Sequence, residues 1–321
     1  MKTAVTELFG VKYPILLAGM GRVALPRMVA AVSNAGGLGV LGAGSSAPEL
    51  TREYICEIRS LTDKPFGVNT PLMIPNGREN AEVALQEKAP IINYSMGKGD
   101  WIAQRAHAYG GKVIASVTNV RLATSAQKHG ADAVIAAGME AAGHAGDVTT
   151  FVLIPRLAEV LKIPIIAAGG VANGAGLVGA MALGAAGVSM GTRFLLTKES
   201  PLHQNFKDAA LDLDVTDTIF SNRFDGVYNR VMATPAAVRA ERTWINPFQV
   251  FMDSFGIARE LRTPYHKLFL QVITAGPSKT LELMRMSQML KMHTITLTSG
   301  DIETGMTASG MSVGLVHDVP T

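Results

Sequence analysis

The stretch IPIIAAGGVANGAGLVGAMALGAAGVSMGTRF (Ile163–Phe194) decides the fold. It opens with a short run, Ile163–Gly170, that is apolar on both faces, as a parallel strand covered on both sides must be. A glycine turn leads into GAGLVGAMALG (Gly174–Gly184), which reads as a helix, and then into a second apolar run, Ala186–Thr192. Strand, crossover helix and a second strand of the same kind make one βα repeat of a parallel sheet.

Working outward, the same rhythm fills the first 200 residues. The runs YPILLAG (13–19), GLGVLG (37–42), PFGVN (65–69), PIINYS (90–95), KVIAS (112–116) and DAVIAAG (132–138) precede the two already named. LPRMVAAVSNAG (25–36) and VRLATSAQKHG (120–130) read as helices between them. Eight such units at a spacing of roughly 20 to 30 residues predict an α/β fold, a (β/α)8 TIM barrel. After Pro201 the rhythm breaks. From there to Thr298 the chain reads as helices, with aromatic and Met positions in INPFQVFMDSFGIARELR (245–262) and TLELMRMSQMLKMHT (280–294). The expected organisation is a barrel over residues 1–200 plus 299–321, with a helical substrate-side subdomain at 201–298. The glycine content of SGDIETGMTASGMSVGLVHD (299–318) is the reason for returning the tail to the barrel.

Composition narrows the partners. With 321 residues, 48% of them hydrophobic, and a net charge of +3, the chain can bury a large core. It has no basic stripe interleaved with aromatics, so nucleic acid is not expected. The single cysteine, Cys56, excludes an intramolecular disulfide and any Cys-rich metal site. The N-terminal apolar run, interrupted by Glu7 and Lys12, is too short to span a membrane. A soluble cytoplasmic protein is the expectation, and a homodimer is left open.

In a barrel of this kind chemistry sits at the C-terminal ends of the strands. LLAGMG follows the first strand, Asn69 ends the third, His144 follows the sixth, AAGGVANGAG (167–176) the seventh and MGTRF (190–194) the eighth. The last two loops can bind phosphate through backbone amides at helix N-termini; the competing reading is glycines that only make tight turns. GLGVLG formally matches a dinucleotide fingerprint, with Asp63 downstream, but it lies on a strand rather than after one, so that reading is set aside.

In AAGMEAAGHAGDVTT (136–150), His144 stands among Gly143, Ala145 and Gly146, with no Cys, Asp or second His at ligand spacing; no metal is expected. An imidazole there can take a proton from a carbon acid or donate to an anionic oxygen, against the alternative of a structural histidine. Glu140 is equally readable as a backbone partner. Asn69 can offer donor and acceptor to a planar heterocycle, or cap a turn. The LLAGM turn (16–20) can lay bare backbone against a flat ring. The Met series from Met284 to Met292 reads as core, and Ser299, Asp301 and Thr304 as turn residues. No nucleophile elbow, Walker A loop or zincin motif occurs. Residues alone leave a phosphorylated flavin and a phosphosugar both open.

Taken together, YPILLAGM (13–20), VSNAGGLGVLG (32–42), KPFGVN (64–69), GMEAAGHAGDVTT (138–150), residues 163–195 and SGDIETGMTASGMSVGL (299–315) resemble the nitronate monooxygenase (2-nitropropane dioxygenase) family. That family also holds flavin-dependent enoyl-acyl-carrier-protein reductases and NADH:quinone reductases. The resemblance covers nearly the whole barrel and the tail, and is weak in the helical segment. It implies an FMN-binding TIM barrel. Ala18, Gly19 and Met20 would lie against the isoalloxazine, Asn69 would bond its edge, and Ala142 and Gly143 would pass near it. Gly169, Gly170, Met190, Gly191 and Thr192 would hold the phosphate, and His144 would be the catalytic or substrate-orienting residue. The implied reaction is oxidation of alkyl nitronates with O2 to carbonyl compounds and nitrite; the alternative is NAD(P)H-dependent reduction of a quinone or an enoyl thioester. Several positions depart from the family pattern. The usual Gly-Gly-His reads Ala142-Gly143-His144, and strand 5 ends in Ala115-Ser116, where some relatives carry a lysine near the flavin. Gly310-Met311 is closer to the quinone-reductase branch, and GMEAAGHAGDVTT leans towards the enoyl reductases. An inosinate-dehydrogenase-like enzyme would need a cysteine after strand 6, and Cys56 lies far earlier.

Overall fold

A computed structural model describes residues 1–44, 46–243 and 277–321. The eight expected runs are its eight parallel strands: β1 (Ile15–Leu17), β2 (Gly39–Gly42), β3 (Phe66–Pro71), β4 (Ile91–Ser95), β5 (Lys112–Val117), β6 (Ala133–Ala137), β7 (Ile165–Ala168) and β8 (Gly187–Met190). They pair in the order β1-β8-β7-β6-β5-β4-β3-β2. The ring closes where Leu17 N–H donates to Leu38 O at 2.9 Å and Leu38 N–H to Ile15 O at 3.0 Å. Parallel strands need long crossovers, and helices supply them: α2 (Pro26–Asn34), α3 (Pro48–Leu61), α4 (Gly77–Gln86), α5 (Asp100–His107), α6 (Val120–Lys128), α7 (Thr150–Val160) and α8 (Gly174–Ala182). This is the (β/α)8 barrel that the sequence predicts.

Local chemistry sets the helix limits. In α3, Pro48 starts the helix where its missing N–H costs nothing, while Glu49 in the first turn and Arg59 in the last complement the helix dipole. Thr51, Ile55 and Ile58 share its buried face. Asn119 and Asn173 cap α6 and α8 by accepting from Leu122 N–H and Gly176 N–H, each at 3.0 Å. Inside the barrel, Leu16, Val40, Ile91, Ile114, Ile135 and Ile166 form one cluster with Val5 and Phe9 of the N-terminal helix α1 (Ala4–Phe9), which stoppers the end where the strands begin. Each such side chain contributes about 1.5 to 3 kcal/mol by leaving water.

The two glycines of GLGVLG that lie within β2 serve packing. A Cβ on Gly39 would fall 2.1 Å from Val29 O, and one on Gly42 would fall 2.1 Å from Met20 O. The run is a strand packed hard against the chain beside it, as its position in the sequence implied.

Contacts divide the chain into two compact units. The first is residues 1–141, 146–200 and 320–321; the second is 142–145 with 201–319. In the second unit the expectation of helices alone is corrected. Its helices α10 (Gln204–Leu211), α11 (Pro235–Arg242) and α12 (Pro277–Thr298) accompany an antiparallel hairpin of β9 (Thr218–Ser221) and β10 (Asn229–Met232); α9 (Thr192–Leu195) belongs to the first unit. The residues explain the hairpin, because β-branched and aromatic side chains flank an Asp225-Gly226 turn whose glycine has φ +92°. INPFQVFMDSFGIARELR lies outside the described residues.

The tail, expected to return to the barrel, spends residues 299–319 in the second unit. Met232 N–H donates to Thr307 O at 3.0 Å, Thr234 Oγ1 to Gly305 O at 3.0 Å and Asn205 Nδ2 to Gly300 O at 3.1 Å. Met289 and Met292 pack against the core of Phe224, Val231, Ala237 and Met306, as core methionines should. Asp301 accepts from Glu303 N–H and Thr304 Oγ1, a turn as read. Among the described residues no helix is long and apolar enough to cross a membrane.

Candidate active site

In the first unit, side chains alternate along each strand, so every second residue faces the barrel axis. Two residues beyond the core positions Leu16, Ile91, Ile114, Ile135 and Ile166 stand Ala18, Asn93, Ser116, Ala137 and Ala168. Asn69 joins this layer because it is the register partner of Asn93. The mouth of the barrel is therefore polar along β3, β4 and β5 and lined by small residues along β6, β7 and β1. Asn93 Nδ2 donates to Ser116 Oγ at 3.0 Å and to Ile114 O at 3.2 Å, which ties the polar arc together.

Asn69 is held by the turn after β1. Its Nδ2 donates to Gly19 O at 2.7 Å, while its buried Oδ1 has no partner among the described residues. A buried acceptor left unpaired costs about 1 to 3 kcal/mol, so it marks where a donor from outside the protein belongs. Gly19 has to be glycine, since a Cβ there would sit 2.3 Å from that of Asn69. Ala18 N–H donates to Met190 O at 2.9 Å, and Met20 N–H to Ala18 O at 2.8 Å. A Cβ on Gly191 would touch Met20 Sδ at 3.6 Å and Ala18 at 3.7 Å, which brings Ala18, Gly19, Met20, Asn69, Met190 and Gly191 into one neighbourhood. Thr192, buried, opens α9 directly after it.

Gly169 and Gly170 follow β7 with φ of +100° and +75°, backbone that side chains resist. Glu140 braces them from the loop after β6: its carboxylate accepts from Thr150 N–H at 2.9 Å and Thr150 Oγ1 at 2.9 Å, and Thr150 Oγ1 also reaches Gly169 O at 3.2 Å. Glu140 is thus a structural partner of the backbone. The unpaired Oδ1, the bare Gly19 and the left-handed glycines fit a planar heterocycle with an N–H donor and an anionic tail.

Ala142, Gly143 and His144 belong to the second unit. Gly143, φ +70°, exchanges backbone hydrogen bonds with Arg230 of β10: its N–H donates at 3.1 Å and its carbonyl accepts at 2.9 Å. His144 Nε2 lies 2.8 Å from Asp225 Oδ2, with the imidazole 36% exposed and the carboxylate 7%. Asp225 Oδ2 also accepts from Asn229 Nδ2 at 2.9 Å, and its Oδ1 from Val227 N–H at 3.1 Å. Burial pushes the Asp225 pKa up, but the hydrogen bond and charge of His144, helped by Asn229 and Val227, outweigh it and hold the carboxyl below its ordinary value. An ionised carboxylate that orients a half-exposed imidazole can support proton transfer. Sequence reading missed Asp225 and Asn229; the Asp-Gly turn in NRFDGVYN (222–229) was the available signal. It also missed Asn93 and Ser116 as a pair, which counting by twos along β4 and β5 would have found.

Among the described residues no cluster of side chains could hold a metal ion. A groove of about 380 Å³, lined by Val120, Val148, Val152 and Leu153 with Asn119, Arg121 and Arg156, lies on the outer helices of the barrel and contains none of the candidate site residues.

Comparison with known proteins now decides the family. The nitronate monooxygenase family model matches residues 2–84 and 73–321. The chain belongs to the nitronate monooxygenase family. This family member is 34% identical over 328 residues to the (3aS,4S,5R,7aS)-5-hydroxy-7a-methyl-1-oxo-octahydro-1H-indene-4-carboxyl-CoA dehydrogenase of Rhodococcus jostii (strain RHA1), covering 100% of this chain and 92% of that relative. It is similar to FabK from Thermotoga maritima, with a TM-score of 0.81 and 34% identity over 100% of this chain and 92% of that one. It is also similar to nitroalkane oxidase from Streptomyces ansochromogenes, with a TM-score of 0.77 and 25% identity over 99% and 94%. The protein is an enzyme, an oxidoreductase of this flavin-dependent family.

Proposed function

We propose that this enzyme is an FMN-dependent oxidoreductase acting at a carbon acid beside an electron-withdrawing group, with His144 moving the proton. The observation that carries the proposal is the His144–Asp225–Asn229 array, in which a buried carboxylate orients an imidazole that keeps one edge open. Bound FMN supplies the two-electron acceptor or donor. Asn69 Oδ1 would accept from an N–H at the edge of the ring, and Ala18, Gly19 and Met20 would lie against its face. Gly169, Gly170, Met190, Gly191 and Thr192 would hold the phosphate, since backbone amides favour an anion; the resemblance adds Ala142 and Gly143 as residues near the cofactor. His144 takes or returns the proton α to the activating group, and Asp225 stabilises the imidazolium that forms.

An acyl thioester is the substrate class best supported, because the Rhodococcus relative, named as a carboxyl-CoA dehydrogenase, matches the whole chain. NAD(P)H is the partner in the reducing direction. An alkyl nitronate, oxidised with O2 to a carbonyl compound and nitrite, is the second reading, favoured by the family description and the nitroalkane oxidase structure. An anaerobic absorbance titration separates the two. Bleaching of the flavin band by an acyl-CoA, or by NADH or NADPH with reoxidation by an enoyl thioester, supports the first reading. Bleaching by a nitronate alone supports the second. A protein that shows no flavin band after FMN is supplied contradicts both.

A further inference from the structure

The Asp225 carboxylate is aimed at only one nitrogen of His144, and that choice has a chemical consequence. An ionised carboxylate has no proton to give, so at 2.8 Å from Oδ2 it is Nε2 that must carry the hydrogen. Asp225 itself is 5% exposed and its oxygens are already claimed, Oδ2 by Asn229 Nδ2 at 2.9 Å and Oδ1 by Val227 N–H at 3.1 Å. All three neighbours are donors, so the carboxylate is fixed in orientation and in charge. Asn229 is 2% exposed and sits at the start of β10, so its amide is a rigid support. The backbone pair between Gly143 and Arg230 then fixes the chain immediately before the ring. Among the described residues Nδ1 of His144 has no hydrogen-bond partner.

We propose that Asp225, backed by Asn229, holds neutral His144 as the Nε2–H tautomer, so that Nδ1 is the atom that exchanges the substrate proton. Asp225 and Asn229 are positioning residues, since they act through His144. The proposal rests on the reading of His144 as the proton-handling group, but its first test does not need cofactor or substrate. In protein labelled with ¹⁵N-histidine, two-bond ¹H–¹⁵N spectra at about pH 8, where an ordinary imidazole is neutral, report which ring nitrogen carries hydrogen. The His144 signals are assigned by their loss in His144→Gln. Wild type is expected to show Nε2–H; an Nδ1–H tautomer, or an even mixture, overturns the proposal.

Turnover gives the second test. Asp225→Asn keeps the shape but lets an amide hydrogen face Nε2, so the tautomer should invert and kcat should fall about 10- to 1,000-fold, the loss expected when a general base is presented with the wrong nitrogen. KM and bound flavin should stay within about threefold, since this carboxylate only orients the base. Retained tautomer with retained kcat overturns the proposal. Should Asp225→Asn fail to fold, the tautomer read in wild-type protein decides alone, Nε2–H supporting the proposal and Nδ1–H overturning it. A protein without a flavin band would sink the cofactor reading while leaving the tautomer result standing.

Discussion

The barrel and the second unit solve different problems with different materials. In the barrel the candidate cradle is almost entirely backbone. Ala18, Gly19, Gly169, Gly170 and Gly191 contribute by having little or no side chain, and the polar side chain of Asn69 is fixed by Gly19 O. In the second unit the chemistry lies in side chains held by other side chains, His144 by Asp225 and Asp225 by Asn229. On the proposed reading, a cofactor is accommodated by what is missing from the first unit, while proton transfer depends on what is paired in the second.

That separation can be broken by substitution. His144→Ala should lower turnover by about 10²- to 10⁴-fold, the usual worth of a positioned acid or base, while the flavin-to-protein ratio stays that of wild type; flavin lost in parallel would merge the two roles. Gly19→Val should act the other way. It forces a branched side chain onto Asn69, destabilises the barrel by about 1 to 3 kcal/mol through overpacking, and empties it of flavin, which thermal unfolding and the absorbance of the purified protein both report. Asn69→Ala removes the hydrogen bond to Gly19 O and the free acceptor, and should weaken flavin binding about 5- to 30-fold, equivalent to one or two kcal/mol, measured by fluorescence titration.

The smallest effect is that of pH. Because folding lowers the Asp225 pKa, the ionised carboxylate stabilises the fold above the unfolded value and loses that contribution as pH falls through the folded one. The stability advantage of wild type over Asp225→Asn in denaturant should therefore shrink as pH falls below about 4. A difference that stays flat as pH is lowered through that range would contradict the lowered carboxyl.

How much of this was legible in the sequence follows from how local each signal is. The eight strands could be counted because each is a contiguous run buried on both faces, and the loops of the cradle follow directly from strand ends. The hairpin escaped notice because its two four-residue strands stand in a region that otherwise alternates with helix. Its Asp-Gly turn was the only short-range mark. His144 was readable from its glycine-rich surroundings, but its partner lies 81 residues away, in a loop with no pattern of its own. Asn93 and Ser116 looked like ordinary strand ends until the parity of β4 and β5 turned both inward. Gly300 and Gly310 drew the tail towards the barrel on composition, whereas hydrogen bonds to its carbonyls from the Met232 N–H and the Thr234 hydroxyl keep it in the second unit.

The most direct test of the cradle is a fluorescence titration of apoprotein with FMN and, separately, riboflavin. The account predicts one FMN per chain and much weaker riboflavin binding, because the loops after β7 and β8 are assigned to the phosphate. Equal affinity for the two would contradict that assignment, and no binding of either would contradict the cradle itself.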